Sequence, residues 1–148
     1  MFICEIDPAF GFAVMIFAPP AEEDDFARYV ELVPQLDRRG AEREGPALIV
    51  EFGEGYPPPS ATWRKRFVDA RAGLASKPIV ALVTPSRAMR AGIALAGWMR
   101  PPTFDQSVFA TVEEAMDWVV GVRGPSAKVL HRLYGDAKRR VSGARGRP

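Results

Sequence analysis

The order of strand-like and helix-like segments is the feature that most constrains how this chain can fold. Five short apolar runs bounded by turn residues predict β-strands, at residues 2–6, 12–17, 47–52, 78–83 and 106–110. A proline and a glycine between the first two runs suit a hairpin turn. Helical segments separate the later strands, and such alternation favours right-handed crossovers between parallel strands. The sequence therefore predicts an α/β domain whose sheet is mixed but mostly parallel, with an N-terminal β-hairpin and about four helices.

The predicted helices rest on apolar residues that recur every three or four positions. The first covers residues 22–39, begins with four acids and contains Pro34, which should kink its last turn or end it early. Ser60 can cap the second helix, and a third follows the fourth strand. Thr111 and Glu114 form a capping box for the last helix of the domain.

Charge is distributed unevenly along the chain. Residues 1–122 hold 12 Lys and Arg against 17 Asp and Glu, a net charge of −5, whereas residues 123–148 hold 8 against 1, a net charge of +7. The predicted division is therefore an α/β domain at 1–122 and a basic C-terminal tail at 123–148. A short helix at residues 127–134 is compatible with the pattern, and the end of the tail is too basic and too poor in apolar residues to pack, so disorder is predicted there.

Few of the residue types that serve catalysis or metal binding are present. The chain has one Cys, Cys4, and one His, His131, which argues against a zinc site, a Cys-His pair and an intramolecular disulfide. No serine lies in a Gly-x-Ser-x-Gly turn, so hydrolase chemistry is not indicated. We expect no enzymatic activity, no cofactor and no metal. The N-terminal residues lack a secretory signal and no apolar run is long enough to span a bilayer, so a cytoplasmic location is expected.

Some polar residues stand where open α/β sheets place their sites. Glu51 and Glu54, at the carboxyl end of the third predicted strand, could do acid–base work, although solvated loop carboxylates are the simpler interpretation. Ser60 and Ser86 precede helices and could present backbone donors to an anion, or act as ordinary caps.

The closing segment Val108-Phe-Ala-Thr-Val-Glu-Glu-Ala-Met-Asp-Trp-Val carries a family resemblance. Together with the element order, it resembles the SpoIIAA-like branch of STAS domains, in which a strand ending in Phe precedes a Thr/Glu-rich cap and a helix with Ala and Trp. The matching residues here are Phe109, Thr111, Glu113, Glu114, Ala115 and Trp118.

The STAS-like resemblance implies a 4–5-stranded sheet backed by helices and a non-catalytic role in protein interaction or ligand sensing. In anti-sigma antagonists of this family, a hydroxyl residue of an Asp-Ser/Thr-Ser/Thr-Gly motif is phosphorylated by a partner kinase. The corresponding loop here lacks that motif, and its nearest hydroxyl, Ser60, is the candidate phosphorylation site.

The function expected from these observations is a non-enzymatic regulatory or scaffolding module that binds a protein partner through loops at the carboxyl ends of the strands. Tyr56, held on a proline-rich loop, is the predicted anchor, with Ser60, Trp98 and Met99 as further partner-binding residues. Hairpin edge strands and Trp98 would also allow a homodimer.

Two alternatives remain open. The first is a carrier or sensor of a small apolar, lipid-like ligand between helices and sheet, lined by Trp63, Phe67, Met89, Ile93, Trp98 and Met99. The second is association of the basic tail with nucleic acid or an anionic surface.

Overall fold

The sheet has the predicted mixed character. A computed structural model describes residues 1–7, 11–40, 45–99, 102, 104–124 and 127–146, with the backbone alone at 37, 39, 40 and 97–99. The strands are β1 (Phe2–Asp7), β2 (Phe12–Phe17), β3 (Ala47–Phe52), β4 (Ile79–Val83) and β5 (Asp105–Phe109). They form one sheet in the order β1-β2-β3-β4-β5, in which β1 runs antiparallel to β2 and the other neighbouring pairs are parallel. The predicted α/β architecture with an N-terminal hairpin is confirmed.

Five helices complete the described part of the chain, where about four were predicted. They are α1 (Asp25–Gly40), α2 (Ala61–Ala72), α3 (Arg87–Met99), α4 (Val112–Arg123) and α5 (Ala127–Arg145). Pro34 lies inside α1, which continues to Gly40. The prediction that Pro34 ends the helix early is therefore wrong, because the helix buries Tyr29, Val33 and Leu36 on the sheet and this packing outweighs the lost backbone donor. None of the helices in the described ranges is both long and apolar enough to cross a bilayer.

The predicted helix caps are confirmed. The Ser60 hydroxyl accepts a hydrogen bond from the Trp63 amide at 3.3 Å. Thr111 Oγ1 accepts from the Glu114 amide, and Glu114 Oε2 accepts from the Thr111 amide, both at 3.3 Å. These contacts fix where α2 and α4 begin, and hence how each chain segment leaves the carboxyl edge of the sheet.

The two faces of the sheet are covered by different helices. From β2 to β5, each new parallel strand lies beside the previous one, and the sheet always grows in the same direction. Right-handed crossovers therefore put α1, α2 and α3 on one face. Their side chains pack with alternate strand residues: Ala13, Met15, Phe17, Leu48, Val50, Val80 and Leu82. Helices α4 and α5 pack with the intervening residues on the other face: Phe12, Val14, Ile16, Ala47, Ile49, Ile79, Ala81 and Val83.

Arg71 ties three elements of the α1–α3 face together. Its Nε donates to the Tyr29 hydroxyl and its Nη1 to Gln106 Oε1, both at 2.7 Å. The guanidinium also lies 5.4 Å from the Tyr29 ring centroid and 6.0 Å from that of Phe104. A side chain 6% exposed thus links α1, α2 and the start of β5 through neutral acceptors and ring faces.

The end of the basic tail, for which disorder was predicted from Lys138 onward, is helical as far as Arg145. Helix α5 continues to Arg145 and packs on β1 and β2, burying a stripe at three- and four-residue spacing: Leu130, Leu133, Ala137 and Val141. Without α5, the β1–β2 half of this sheet face would lose its cover. Residues 147 and 148 lie outside the described ranges.

The positive charge of α5 is matched by acids on the sheet beneath it. Arg132 Nη2 lies 2.5 Å from Asp7 Oδ2, and Arg140 Nη1 lies 2.6 Å from Glu5 Oε1. Both acids lie on the edge strand β1 and point toward the α5 face. The charge asymmetry of the sequence is therefore, at least in part, complementarity within one domain.

Candidate functional site

An open groove of about 1000 Å³ lies at the carboxyl ends of the parallel strands. The ends of β2, β3, β4 and β5 converge there, because parallel strands direct their carboxyl ends to one edge of the sheet. Its apolar lining includes Ile16, Val83 and Val112, and the last turns of α5 form one wall with Val141. We call this feature the carboxyl-edge groove.

Glu51 is the least exposed of the acids that line the carboxyl-edge groove. It lies in β3 with its side chain only 12% exposed, and its Oε1 is 3.2 Å from Lys138 Nζ. Its Oε2 is buried and has no hydrogen-bond partner within the described part of the chain. The interpretation of Glu51 as a solvated loop carboxylate is therefore wrong, whereas Glu54 is exposed as that interpretation expects.

Tyr134 stands beside this ion pair. Burial raises the pKa of its hydroxyl first, and the neighbouring Glu51 carboxylate raises that pKa further by its charge and by a hydrogen-bonding interaction. The Tyr134 hydroxyl nevertheless makes no hydrogen bond of normal geometry with Glu51 Oε2. The Lys138 ammonium lies 5.4 Å from the centroid of the Tyr134 ring. At neutral pH the site therefore combines a neutral phenol, an ammonium and a carboxylate, one oxygen of which makes no hydrogen bond of normal geometry with a described residue.

Acids outnumber cations among the residues that line the groove. Its lining includes three acids, Glu51, Glu54 and Glu113, and two cations, Lys138 and Arg145. The Arg145 Nε donates to the Pro19 carbonyl at 3.2 Å, so this cation also has an internal acceptor. Such a lining can hold an apolar body and can accept a hydrogen bond from a ligand donor.

Tyr56 does not stand out from its loop as the sequence suggested. Its side chain is 6% exposed, and its hydroxyl donates to Asp25 Oδ2 at 2.7 Å. The ring packs 5.4 Å from Phe17 and 5.8 Å from Phe26 between centroids. The expectation of an exposed anchor is thus corrected, because the proline-rich loop folds the ring inward to complete the aromatic core. A role for Tyr56 in partner binding stays a prediction.

Asp25, which receives the Tyr56 hydroxyl, is fully buried. The Met1 α-amino group lies 2.6 Å from the same Oδ2, and the Glu22 amide donates to it at 2.9 Å. Burial alone would raise the pKa of Asp25, but the hydrogen bonds from the α-amino group, Glu22 and Tyr56 outweigh it and lower that pKa. This network ties the start of α1 to Met1 and to the loop that follows β3.

The acidic residues around Asp25 do not make a second site. One carboxylate oxygen each of Glu22, Asp24 and Asp25 lies within 4.8 Å of the others. Asp25 is already engaged by three donors, and Arg28 Nη1 lies 3.4 Å from Glu22 and 3.8 Å from Asp25. The positive charges of Arg28 and of the Met1 α-amino group oppose the binding of a metal ion, so we assign no metal site here.

Ser60, the other predicted partner-binding residue whose side chain is described, does not line the groove. Ser60 is exposed and its hydroxyl serves as the cap of α2. Trp98 and Met99 end α3, and their side chains lie outside the described residues. Phe67 is buried, and Trp63, Met89 and Ile93 pack against the core of the α1–α3 face, where the alternative hypothesis placed an apolar ligand.

Sequence reasoning missed Tyr134 and Lys138 because residues 123–148 were treated as a tail. The signal that could have found them is the spacing of Leu133, Ala137 and Val141, which continues a helical stripe past the predicted end. Lys138 directly follows Ala137 of this buried stripe, so its side chain projects from the border of the buried face of α5.

Comparison with family models, with curated proteins and with solved structures found no match to this chain.

Proposed function

We propose that this chain is a non-enzymatic domain that binds a small organic molecule in the carboxyl-edge groove. The observation that carries the proposal is the buried Glu51 Oε2, which makes no hydrogen bond of normal geometry with any described residue. A buried polar atom without a partner costs about 1–3 kcal/mol, so each such atom calls for an explanation, and a bound molecule that supplies the contact is one.

The surroundings of Glu51 support ligand binding more than catalysis. Lys138 is held in an ion pair, and the raised pKa of Tyr134 keeps its hydroxyl protonated near neutral pH. Neither group is then a free base. The apolar surface beneath them, with Ile16, Val83 and Val112, suits the body of a small molecule.

A fragment screen by protein-observed NMR tests this proposal. We expect fragments that bind to shift the amide signals of Ala110, Val112 and Val141. Ser142, an exposed residue on the groove wall, offers a blocking variant. Ser142→Trp should abolish these shifts by filling the groove, whereas the matched Ser142→Ala should retain them. Fragments that shift only signals on the α1–α3 face would contradict the proposal.

Protein binding remains a second candidate function, and one observation favours it. Leu95 on α3 is 57% exposed, and α3 carries no acidic residue. Association of a second copy through this helix would cover that side chain. The expected result is a dimer in size-exclusion chromatography with light scattering, reduced to a monomer by Leu95→Gln. Val122→Gln, at a 46% exposed site on α4, is the control. A wild-type chain that is monomeric in this measurement would contradict the proposed homodimer.

The STAS-like resemblance is retained as a hypothesis alongside both candidates. A regulatory domain of that kind would be compatible with a ligand-binding groove at the carboxyl edge of the sheet. Phosphorylation of Ser60 also stays a prediction. The exposed hydroxyl of Ser60 at the start of α2 would put a phosphate near the positive end of the helix dipole, which is a favourable position.

A further inference from the structure

We infer that the carboxyl-edge groove selects ligands that carry a protonated amine, an inference that rests on the proposed function. A carboxylate offers acceptor positions on both of its oxygens. In Glu51, Oε1 lies 3.2 Å from the Lys138 ammonium, while the buried Oε2 makes no hydrogen bond of normal geometry with a described residue, the Tyr134 hydroxyl being the neutral donor beside this carboxylate. A ligand ammonium placed at Oε2 supplies the missing donor and completes the carboxylate.

Lys138 already displays the recognition chemistry that such a ligand would use. Its ammonium contacts the Glu51 carboxylate on one side and lies 5.4 Å from the Tyr134 ring centroid. A carboxylate combined with an aromatic face attracts ammonium groups through charge and through the ring quadrupole. The groove therefore holds one internal ammonium and has an acceptor for a second.

The charge of the lining favours the same ligand class. Its three acids outnumber its two cations, and Lys138 and Arg145 both have internal acceptors. A ligand carboxylate would approach Glu51, Glu54 and Glu113, while the Lys138 charge is already paired with Glu51 and the Arg145 Nε is held by the Pro19 carbonyl. The aliphatic part of an amine would rest on the apolar surface that includes Val112 and Val141.

Three six-carbon probes separate charge from shape. Hexylamine, 1-hexanol and hexanoate are titrated into the full chain at pH 7, and dissociation constants are taken from amide shifts at Val112 and Val141. We expect hexylamine to bind about 10- to 100-fold more tightly than either of the others, because it alone forms a charge-assisted hydrogen bond with Glu51. Equal or tighter binding of hexanol or hexanoate at these residues overturns the amine inference and leaves the proposed function intact.

Two variants with opposite expected effects complete the test. Glu51→Gln should weaken hexylamine about 10-fold or more, to the level of hexanol. Glu31→Gln, at an exposed acid of α1 that does not line the groove, is the matched control and should change affinity less than about twofold. Lys138→Met removes the competing ammonium and should tighten hexylamine about 10-fold. Melting curves establish that each variant is folded.

A Lys138→Met variant that binds hexylamine no better than the wild-type chain overturns the inference, and so does an unchanged affinity in Glu51→Gln. Shifts from none of the three probes likewise overturn it, whereas the proposed function is judged separately by whether fragments of other chemistry bind the groove and are blocked by Ser142→Trp.

Discussion

Removal of residues 125–148 is expected to abolish cooperative folding of the remaining chain. Helix α5 buries Leu130, Leu133 and Val141 on the sheet, with exposed fractions of 1%, 4% and 6%. Full burial of each such side chain stabilises a fold by about 1.5–3 kcal/mol. Losing all three together approaches the about 5–15 kcal/mol of net stability that a domain of this kind has. The measurement is a urea unfolding curve followed by circular dichroism.

A point substitution makes the same test without shortening the chain. Leu133→Ala should lower the free energy of unfolding by about 2–5 kcal/mol, since it leaves a cavity under α5. His131→Ala, two residues earlier and exposed, is the matched control and should change it by less than about 0.5 kcal/mol. A shortened chain that unfolds cooperatively at the wild-type midpoint would show that α5 is a dispensable appendage after all.

The helical structure of residues 127–145 also changes how the basic charge is interpreted. A basic tail suggests an anionic partner, but Arg132 and Arg140 ion-pair with acids of β1, and Lys138 pairs with Glu51 of β3. These cations are engaged by the domain itself. Binding of nucleic acid or an anionic surface by this segment stays a prediction, and it would have to compete with these internal pairs.

Tyr56→Ala is expected to lower the free energy of unfolding by about 3–5 kcal/mol, because it removes a buried ring from the aromatic core. Tyr56→Phe keeps the ring and removes the hydrogen bond to Asp25, so a smaller loss of about 1–3 kcal/mol is expected. Glu54→Ala, in the same loop but exposed, is the control and should have little effect. Urea unfolding curves at pH 7 measure all three. A Tyr56→Ala chain with wild-type stability would contradict the buried position.

The Asp25 network also predicts a direction for acid unfolding. The folded-state pKa of Asp25 is below its ordinary value of 3.8, so the contribution of Asp25 is fully present above that pH and is lost as the pH falls through the folded-state pKa. Tyr56→Phe removes one of the hydrogen bonds that lower this pKa. The difference in stability between wild type and Tyr56→Phe should therefore shrink as the pH is lowered from 5 toward 2. A constant difference over that range would show that the Tyr56 hydroxyl does not stabilise the charged form of Asp25.

The expected loss of stability makes Tyr56→Ala unsuitable as a test of partner binding, since any loss of binding would accompany a loss of stability. Tyr56→Phe is the informative variant, because its ring stays in the core. The same caution applies to a chain shortened at Gly124, which would lack α5 and with it the Tyr134 and Lys138 wall of the carboxyl-edge groove.

Local features of the sequence were sufficient for the five strands and for helices α1 to α4. The apolar runs at residues 12–17 and 47–52 match β2 and β3, and the Thr111–Glu114 box marks the start of α4. Strand propensity, apolar periodicity and capping depend on residues close together in the chain. For that reason the alternation of strands and helices, and the parallel character of the sheet that follows from it, could be predicted.

The candidate site depended on contacts that no local pattern contains. Glu51 and Lys138 are 87 residues apart, and Tyr56 and Asp25 are 31 apart. Whether a carboxylate is solvated or buried, and whether a basic segment is disordered or docked, depends on what the sheet order brings opposite it. The sequence by itself determined the five strands, the first four helices and their alternation, because these follow from residues close together in the chain. Only the tertiary structure decided that α5 extends along the sheet and covers β1 and β2, that Tyr56 turns inward and that the Glu51 carboxylate is paired with Lys138, because burial and charge pairing arise when distant segments pack.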